Sequence, residues 1–581
     1  MACQAPQPSG CAAKEETSDM SQPAHPIPGV VYAPPAVVDG YRQAGVLTPE
    51  TLVDALARIA ARFPDRIAIS ENGDDGITHA ALDRLTDRAA AGLLGLGLQP
   101  LDRVLFQVGN CRDLLVAFLA CLKAGLIPIC TLAAHRRHEI GIIGRQAGAR
   151  AHIVQGDDPK FDFVGFSTQM RGEIDTLVHT IVLHPRPDLD PAPGIHRFDD
   201  LVAATAPDAA QVALAAIPRD PWQVALFQLS GGTSGVPKII PRFHSEYLHT
   251  IRSIVRWHGL DETTVGFTPN PLMHNAPMAC YWGPALFSGG EVAVSTGLDA
   301  AVIERILAKR RPDWLAIPLV ILLRLKDAGA FERIDLSYAK GFSLPNSALR
   351  VEQLTGAPAR PLFGMTEGLL SYGRHGDPRA VIEGTVGRPV SDHDDVRILH
   401  PESEQECAEG EIGELAVRGP STIHGYFDAP EHNATAFTSD GFYRSGDLMR
   451  FTRIEGVRYL VFEGRVKDVV SRGGEKINCQ EVERLAIGHP DIGSISIVPM
   501  PDPVYGERAC AFVIPARDAP PMTVKALGTW LERAGMAKFK WPERVEVVSE
   551  FPMTSSGKVS KPLLRAQIAT RLKEEAAAAA R

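Results

Sequence analysis

The most informative stretch of the sequence is Leu229-Ser-Gly-Gly-Thr-Ser-Gly-Val-Pro-Lys238. It is a glycine-rich loop that follows the apolar run Val224–Leu229. Glycines lack a Cβ, so the backbone N–H groups of such a loop can approach a polyphosphate closely. Hydroxyl side chains add donors and Lys238 adds a positive charge. The loop therefore predicts a phosphate site, with the candidate ligands Ser230, Gly231, Gly232, Thr233, Ser234, Gly235 and Lys238.

Two common nucleotide-binding motifs do not fit this chain. Pro237 precedes Lys238, so the loop is not the Gly-Lys-Ser/Thr loop of P-loop NTPases. Gly95-Leu-Gly97 lacks a third glycine and follows a helical pattern rather than a strand, so it is not a dinucleotide fingerprint. P-loop ATPase chemistry and dinucleotide binding are both disfavoured.

Strand-like and helix-like segments alternate upstream of the loop. Thr51–Phe63 and His79–Leu96 have helical spacing, and Arg66–Ser70 and Arg103–Val108 have the character of strands. Such alternation is typical of α/β folds with largely parallel sheets. The chain is thus predicted to have a large N-terminal domain with mixed or parallel sheets flanked by helices, plus a small α+β C-terminal domain on a hinge. The predicted units are a mobile tail (1–45), a large N-terminal domain (46–465), a small mobile C-terminal domain (466–575) and a frayed end (576–581).

Composition excludes several broad classes. The 581 residues exceed one compact core, and 45% hydrophobic and 22% charged residues are ordinary globular values. A formal net charge of -9 argues against a nucleic-acid partner, and no apolar run is long enough for membrane insertion. The N-terminus lacks a secretory signal, and the nine cysteines form no CxxC pair. A cytoplasmic protein with reduced thiols is expected.

Further motifs follow the loop in a fixed order. They are Phe363-Gly-Met-Thr-Glu-Gly368, Gly384-Thr-Val-Gly-Arg-Pro389, Gly413-Glu-Leu-Ala-Val-Arg-Gly419, Tyr443-Arg-Ser-Gly-Asp447, Gly464-Arg-Val-Lys-Asp468, Gly473-Gly-Glu-Lys-Ile477 and Gly557-Lys-Val-Ser-Lys561. Together with the loop, this set resembles the adenylate-forming superfamily of acyl-CoA ligases, luciferases and peptide-synthetase adenylation domains. The resemblance covers residues from about 225 to 565.

The resemblance implies ATP and Mg²⁺ as cofactors and a role for individual residues. Lys558 matches the lysine that bridges the carboxylate and the α-phosphate, and Glu367 matches the Mg²⁺ ligand. Asp447 matches the carboxylate that accepts hydrogen bonds from both ribose hydroxyls. The implied catalytic residues are Lys558, Glu367, Thr366 and Lys476, and the further nucleotide-binding residues are Phe363 (the adenine-stacking ring), Gly364, Met365, Asp447 and Arg465.

The resemblance also implies a hinge within Gly464–Asp468, with Lys467 at the pivot. In the family the C-terminal domain rotates between an adenylating pose and a thioester-forming pose, so that a few residues absorb the change. The first pose would bring Lys558 inward. The second would present Gly473–Lys476 to a pantetheine arm.

The segment Pro271–Cys280 resembles the stand-alone aryl acid adenylating enzymes of siderophore biosynthesis. Its His274-Asn275 pair implies a hydrogen bond from the Asn275 amide to a hydroxyl ortho to the carboxylate. Cys280 and Leu370 occupy positions that are typically Ser and Val in 2,3-dihydroxybenzoate ligases, and Cys and Leu in salicylate ligases. A 3-hydroxyl left unpaired there would cost roughly 1–3 kcal/mol. Salicylate is therefore favoured, with 2,3-dihydroxybenzoate next.

One region departs from the subgroup. Its strand before the Phe-Gly-Met segment usually ends in Gly-Gly-Ala or Gly-Gly-Ser, whereas Asp335–Leu344 is shortened and keeps only Gly341. That strand helps to form the floor of the acid pocket, so Gly341 is a candidate substrate-binding residue. Ala276 and Tyr281–Pro284 also differ from the subgroup, which leaves an unusual aryl acid open.

The sequence thus predicts ATP-dependent activation of an aryl acid to aryl-AMP, with release of pyrophosphate. The acyl group would then pass to the phosphopantetheine thiol of an aryl or peptidyl carrier protein. An aryl-CoA ligase that uses free CoA is the alternative enzyme. A non-catalytic adenylate-binding interaction protein is the alternative from another class, although retention of Lys238, Glu367, Asp447 and Lys558 argues against it.

Overall fold

The computed structural model describes residues 21–189, 192–230, 237–343, 348–400, 403–472, 475–554 and 558–579. Side chains of residues 475, 476 and 579 are outside this description. Every structural statement below refers to the described residues.

The described part of the chain contains strands throughout its length. In chain order they are β1 (Ile67–Glu71), β2 (Ile77–Thr78), β3 (Arg103–Gln107), β4 (Ile127–Ile129), β5 (Ala149–Gln155), β6 (His179–Leu183), β7 (Ile195–Arg197), β8 (Val224–Leu229), β9 (Ile239–Phe243), β10 (Val265–Phe267), β11 (Glu291–Val294), β12 (Trp314–Leu315), β13 (Gly341–Ser343), β14 (Ala359–Arg360), β15 (Leu362–Gly364), β16 (Leu370–Tyr372), β17 (Arg388–Pro389), β18 (Asp395–Leu399), β19 (Gly413–Arg418), β20 (Tyr443–Ile454), β21 (Val457–Arg465), β22 (Val469–Arg472), β23 (Glu475–Asn478), β24 (Ile492–Asp502), β25 (Gly506–Pro515) and β26 (Arg544–Val547).

Helices lie between these strands. In chain order they are α1 (Pro35–Gln43), α2 (Leu52–Arg62), α3 (His79–Gly95), α4 (Arg112–Lys123), α5 (Arg137–Ala147), α6 (Phe163–Arg171), α7 (Phe198–Ala204), α8 (Pro207–Ala215), α9 (His244–His258), α10 (Asn275–Pro277), α11 (Gly283–Phe287), α12 (Ala300–Arg310), α13 (Leu319–Asp327), α14 (Ala348–Thr355), α15 (Arg379–Gly384), α16 (Pro430–Ala436), α17 (Cys479–Ala486), α18 (Val524–Arg533) and α19 (Lys561–Ala579).

Two seven-stranded sheets dominate the N-terminal domain. Their strand orders are β14-β13-β12-β10-β11-β1-β2 and β7-β6-β5-β3-β4-β8-β9. Within each sheet the pairing is parallel except at one edge, where β2 and β9 run antiparallel to their neighbours. The predicted α/β architecture is confirmed. The buried strand β8 pairs antiparallel with β9 at this edge, so Ser230 and Lys238, which flank the glycine-rich loop, lie opposite each other.

Local sequence explains why the helices form where they do. The helix α2 begins at a reciprocal cap, in which the Thr51 hydroxyl accepts from the Asp54 backbone N–H and the Asp54 carboxylate accepts from the Thr51 N–H. The helix α4 has ten buried residues, from Leu114 to Lys123, because it packs in the main core of the domain. A helix that is apolar on most of its faces requires such a position.

Smaller sheets carry the remaining predicted site residues. Strands β15, β16 and β17 form one antiparallel sheet, and β18 to β21 form another in sequence order. The C-terminal unit has a five-stranded sheet of order β23-β22-β25-β24, with β26 parallel to β25. Its core clusters are separate from those of the larger domain.

The first described residues differ from the prediction of a mobile tail over 1–45. From Ser21 onward the segment packs on the domain, and Ile27 lies in a core cluster beside Phe427. The Tyr32 hydroxyl donates to Gln223 Oε1 at 3.0 Å. The sequence does not predict this packing, because the segment's contacts are with residues some 200 positions away in the chain.

The structure also describes the strand that contains Gly341 and most of the predicted frayed end. The strand containing Gly341 is described from Gly341 to Ser343, and it pairs with β12 on one side and β14 on the other. Helix α19 extends to Ala579, so much of the predicted frayed end is helical. Among the described helices, none combines the length and apolarity needed to cross a bilayer.

Candidate active site

Hydrogen bonds join the two residues that flank the glycine-rich loop, Ser230 and Lys238. The Ser230 backbone N–H donates to the Lys238 carbonyl at 2.9 Å, and the Lys238 N–H donates to Ser230 Oγ at 2.9 Å. These bonds continue the ladder of β8 and β9 and fix both ends of the loop. Gly231, Gly232, Thr233, Ser234 and Gly235 were predicted as phosphate ligands, and they lie outside the described residues.

The Lys238 ammonium lies 5.0 Å from the ring centroid of Tyr426, within the range of a cation–π contact. Burial lowers the pKa of Lys238 and Lys467 lowers it further, whereas Glu367 raises it. Lys238 and Glu367 therefore face the same small region, as binding of a phosphate chain with a divalent cation requires.

Glu367 is held by a tyrosine that sequence reasoning missed. The Tyr426 hydroxyl donates to Glu367 Oε1 at 2.8 Å and lies 2.8 Å from the Tyr443 hydroxyl. The Ile423 backbone N–H donates to the Glu367 carbonyl at 2.9 Å. Burial first, and the Glu367 charge second, raise the pKa of Tyr426. Tyr426 therefore stays protonated and donates to the carboxylate.

Thr366 is buried, and its carbonyl accepts a hydrogen bond from the Arg242 guanidinium. The fully buried Arg242 guanidinium also contacts the Glu246 carboxylate and donates to the Ser421 carbonyl at 3.2 Å. Burying a charge is costly unless it is paired and hydrogen-bonded, and Arg242 meets both conditions. It thereby ties the start of α9 to the loop that carries Glu367.

Asp447 and Arg465 are directly opposed in the β20–β21 pairing. The Arg465 Nε donates to Asp447 Oδ1 at 3.0 Å. The Asp447 side chain is only 5% exposed, whereas that of Arg465 is 44% exposed. Burial outweighs the arginine and raises the pKa of Asp447 to about 6. The two residues, eighteen apart in sequence, are brought together by strand register.

Lys558 reaches this group from the C-terminal domain. Its backbone N–H donates to Thr554 Oγ1 at 3.1 Å. Part of the side chain is open to solvent, but burial of the ammonium group and the Arg465 charge lower its pKa, while Asp447 and Glu367 raise it. Lys558 also lowers the pKa of His274. Its ammonium is thus within electrostatic range of both predicted halves of the site.

We call Lys238, Glu367, Asp447, Arg465 and Lys558 the nucleotide side. The predicted adenine segment borders it on β15. Phe363 is half-buried with its ring 5.7 Å from that of Phe462, and Gly364 is exposed and pairs with Leu370. Met365 packs at the edge of the same core cluster as Phe363.

The predicted hinge is a short helical turn, Val466–Asp468. Lys467 is exposed, and its carbonyl accepts a hydrogen bond from Arg565 at 2.7 Å. The backbone of Lys476 lies in β23, opposite Ser471. The side chain of Lys476, a predicted catalytic residue, lies outside the described part of the structure.

We call the residues that the sequence predicts to bind the acid, His274, Asn275, Cys280, Leu370 and Gly341, the acid pocket. The Tyr247 hydroxyl donates to Asn275 Oδ1 at 2.9 Å, so the Asn275 Nδ2 hydrogens are its donors toward a ligand oxygen. Burial, and then the Lys558 charge, lower the pKa of His274 to about 4. Its imidazole is therefore neutral at physiological pH.

A π-helical turn, Met278–Trp282, positions Cys280. The Gly283 backbone N–H donates to the Met278 carbonyl, and a Cβ on Gly283 would lie 2.3 Å from that oxygen. Such turns are frequent at functional sites. The Trp314 Nε1 donates to the Cys280 carbonyl at 2.6 Å, which anchors the turn.

Leu370 and Gly341 are both buried. Leu370 is 5% exposed and shares a core cluster with Cys280. A Cβ on Gly341 would lie 2.5 Å from Cζ3 of Trp314, so only glycine fits beneath that ring. All five predicted acid-pocket residues are buried or partly buried, and Cys280 and Gly341 both contact Trp314.

Sequence reasoning missed Tyr426, Arg242 and Tyr247, which orient Glu367, Thr366 and Asn275. Arg242 and Tyr247 stand shortly after the glycine-rich loop, but Arg242 lies in β9 and Glu246 in α9, so helical spacing does not predict their ion pair. Tyr426 lies 59 residues from Glu367, and no local spacing predicts that contact.

Comparison with known proteins places the chain in a family. Residues 56–427 match the AMP-binding enzyme family and residues 481–558 match the AMP-binding enzyme C-terminal domain. The chain is 35% identical to the 2,3-dihydroxybenzoate-AMP ligase of Bacillus subtilis over 549 residues, covering 93% of this chain and 97% of that protein.

Two further similarities agree. A salicyl-AMP ligase / salicyl-S-ArCP synthetase of Mycobacterium tuberculosis is 36% identical over 552 residues, with 93% and 94% of the two chains covered. The apo structure of Mycobacterium smegmatis MbtA superposes with a TM-score of 0.68 and 31% identity over 93% of this chain and 99% of that one. The chain belongs to the AMP-binding enzyme family.

Proposed function

We propose that this enzyme activates an aryl carboxylic acid with ATP, forming an aryl-AMP and pyrophosphate. The acid carries a hydroxyl ortho to its carboxylate, with salicylate as the first candidate and 2,3-dihydroxybenzoate as the second. One observation carries the proposal: Lys558 lies within electrostatic range of Asp447, Glu367 and His274. A single cation therefore faces both the nucleotide side and the acid pocket.

The reaction joins two anions, so the site must offset negative charge as they approach. An oxygen of the carboxylate attacks the α-phosphorus, and the bond from that phosphorus to the bridging oxygen of pyrophosphate breaks. Lys558 stabilises the charge on the carboxylate and the α-phosphate. A well-placed donor of this kind contributes on the order of 3–4 kcal/mol.

The nucleotide side supplies the remaining contacts. Asp447 accepts hydrogen bonds from the ribose hydroxyls, Phe363 stacks on adenine, and Ser230 and Lys238 bind the phosphate chain. Glu367 fits a Mg²⁺ ligand, since Mg²⁺ commonly binds proteins through one or two carboxylates together with substrate phosphates. Tyr426 orients that carboxylate through its bond of 2.8 Å. When bound, Mg²⁺ would neutralise charge on the phosphates.

In the second half-reaction, a thiolate attacks the acyl carbon of aryl-AMP and AMP leaves with the bonding electrons. We propose the phosphopantetheine thiol of a carrier protein as the acceptor, with rotation about Lys467 exchanging Lys558 for Gly473–Lys476. Free CoA is the alternative acceptor. Thioester formation from preformed aryl-AMP, measured with each thiol in turn, separates the carrier-dependent ligase from the CoA ligase.

Acid-dependent exchange of pyrophosphate into ATP tests the first half-reaction. The acids are salicylate, 2,3-dihydroxybenzoate, benzoate, anthranilate and 3-hydroxypicolinate. Exchange with the ortho-hydroxylated acids and weak exchange with benzoate is the expected result, since benzoate cannot meet Asn275. Folded, ATP-binding protein that exchanges with none of these acids contradicts the proposal.

A further inference from the structure

One ion pair joins the two domains across the predicted hinge. The Arg484 guanidinium of α17 donates to Glu463 Oε2 at 2.6 Å, and Glu463 lies in β21, three residues before the turn Val466–Asp468. Among the ion pairs formed by the described residues, this one alone has its partners on opposite sides of that turn. Its presence therefore depends on how the C-terminal domain is oriented.

Glu463 is shared between two arginines. Its side chain is 8% exposed, and its other oxygen, Oε1, accepts from Arg450 Nε of β20 at 2.9 Å. Arg450 lies on the same side of the hinge as Glu463, whereas Arg484 lies on the other side. A buried carboxylate that loses every cation is strongly destabilising, but Arg450 remains beside Glu463 when Arg484 leaves. The pair with Arg484 can therefore break without leaving an unpaired buried charge.

The start of α17 is tied to the same part of β21. Asn478 caps α17, because its Oδ1 accepts from the Gln480 backbone N–H at 3.0 Å, and its Nδ2 donates to the Glu463 carbonyl. The hinge turn is fixed to the C-terminal domain, since Arg565 of α19 donates to the Lys467 carbonyl at 2.7 Å. The segment that can change conformation thus lies between Glu463 and Lys467, and the contacts of Glu463 with α17 hold it in the observed state.

The observed orientation is the one that brings Lys558 to the nucleotide side. In the proposed reaction the C-terminal domain then rotates about Lys467. That rotation moves Arg484 away from Glu463, because the two residues lie on opposite sides of the pivot. A contact that is made in only one of two poses shifts their relative populations by its full contribution.

From this arrangement we infer that Arg484 is a positioning residue for adenylation. Its ion pair with Glu463 holds the C-terminal domain in the adenylating pose, so it acts through Lys558. The inference rests on the proposed function, because it takes the domain to alternate between two poses. The effect of the pair falls on the balance between the two half-reactions rather than on the binding of either substrate.

The test compares two rate constants of the full-length enzyme. The first is single-turnover formation of aryl-AMP from ATP and the acid that supports the strongest pyrophosphate exchange. The second is thioester formation from preformed aryl-AMP with free pantetheine as the thiol. Arg484→Ala is expected to raise the ratio of the second to the first by about 3- to 10-fold, between the effects of an exposed and a buried charged pair. The ratio follows the relative populations of the two poses, so a general loss of activity leaves it unchanged.

Arg453→Ala is the matched control, because Arg453 pairs with Glu409 at 2.7 Å, is 54% exposed against 47% for Arg484, and does not cross the hinge. It should keep the parent ratio. Glu463→Gln removes the same pair from the other partner and should also raise the ratio. Combined with Arg484→Ala, it should raise the ratio no further than the larger single effect, since both changes remove one interaction.

Arg484→Lys gives a second reading if Glu463→Gln does not fold, and its ratio should lie between those of the parent and Arg484→Ala, because lysine keeps the charge without the planar guanidinium. A parent ratio retained in Arg484→Ala, or single effects that multiply in the double variant, overturns the inference and leaves the proposed function in place. A parent that forms aryl-AMP but no thioester has no second pose to disfavour, so the inference fails while adenylation stands. A parent that adenylates no acid fails both.

Discussion

The nucleotide side and the acid pocket both lie near Lys558, but the first consists of charged groups and the second of neutral groups. The nucleotide side is built from charges in compensating pairs, such as Asp447 with Arg465 at 3.0 Å. The acid pocket is built from neutral groups, since burial lowers the pKa of His274 to about 4 and raises the pKa of Cys280 to about 12. A polyphosphate needs charge and a cation, whereas a planar ring needs shape and a few hydrogen bonds. Substitutions should therefore affect the two regions in different ways.

The largest effect is expected at the residue the two regions share. Lys558→Ala should lower aryl-AMP formation by on the order of 10²–10³-fold, because it removes the cation that faces both substrates. ATP affinity should change little, since Asp447 and Lys238 remain. Single-turnover adenylate formation and equilibrium ATP binding measure the two quantities.

Lys525→Ala is the control, since Lys525 is an exposed lysine of α18. A Lys558→Ala enzyme that forms adenylate at the parent rate would show that Lys558 is not a catalytic residue, and the comparison would lose its common element.

A charge-dependent nucleotide side should respond to pH. The pKa of Asp447 is raised to about 6, so this carboxylate gains a proton as the pH falls through that value. Protonation removes the negative charge that faces Arg465 and the ribose hydroxyls. The KM for ATP should therefore rise below about pH 6, while binding of the acid is less affected.

Asp447→Asn removes the titrating group. Its KM for ATP should be raised at all pH values, by roughly 5- to 150-fold if one charged hydrogen-bond partner is lost, and should lack the inflection near pH 6. An inflection that persists in Asp447→Asn assigns the titration to another group.

Shape should dominate in the acid pocket. Gly341→Ala places a Cβ 2.5 Å from the Trp314 ring, so the ring or the strand must shift. Such overpacking costs typically about 1–3 kcal/mol of folding stability, and the KM for the acid should rise while that for ATP stays constant. Denaturant unfolding and steady-state kinetics with each substrate measure these changes.

Gly95→Ala serves for comparison, because nothing lies within 4 Å of a Cβ there and the position is helical. It should be neutral or slightly stabilising. Equal stability of the Gly341→Ala and parent proteins would mean that β13 does not pack against Trp314 in solution.

The smallest effect is expected from a neutral group that serves the charged region. Tyr426→Phe removes one hydrogen bond of 2.8 Å to Glu367 but keeps the ring beneath Lys238. A loss of about 0.5–1.5 kcal/mol corresponds to a few-fold increase in the Mg²⁺ concentration for half-maximal activity. A titration of Mg²⁺ at saturating ATP measures it, and an unchanged midpoint removes Tyr426 from the positioning of Glu367.

The nucleotide side was largely predictable from the sequence. Its residues stand in short motifs of the sequence, namely a glycine-rich loop, a Ser-Gly-Asp turn and a late Gly-Lys pair. The buried strand β8 and the helices α2 and α3 were also predicted to within a few residues, since apolar periodicity is a local property. Binding residues that lie in short motifs can therefore be predicted from the sequence.

Other features of the protein depend on contacts between residues that are distant in the sequence, and only the folded structure shows them. The packing of residues 21–45, the support of Glu367 by Tyr426 and the pairing of Arg484 with Glu463 all join segments tens to hundreds of residues apart. No periodicity records such contacts, because they are selected by how sheets and helices pack, not by local backbone preference. The sequence alone determined the family, and it predicted the ligand types and the charged residues of the candidate site. The fold decided which neutral side chains complete the acid pocket, because burial and strand register bring them together there.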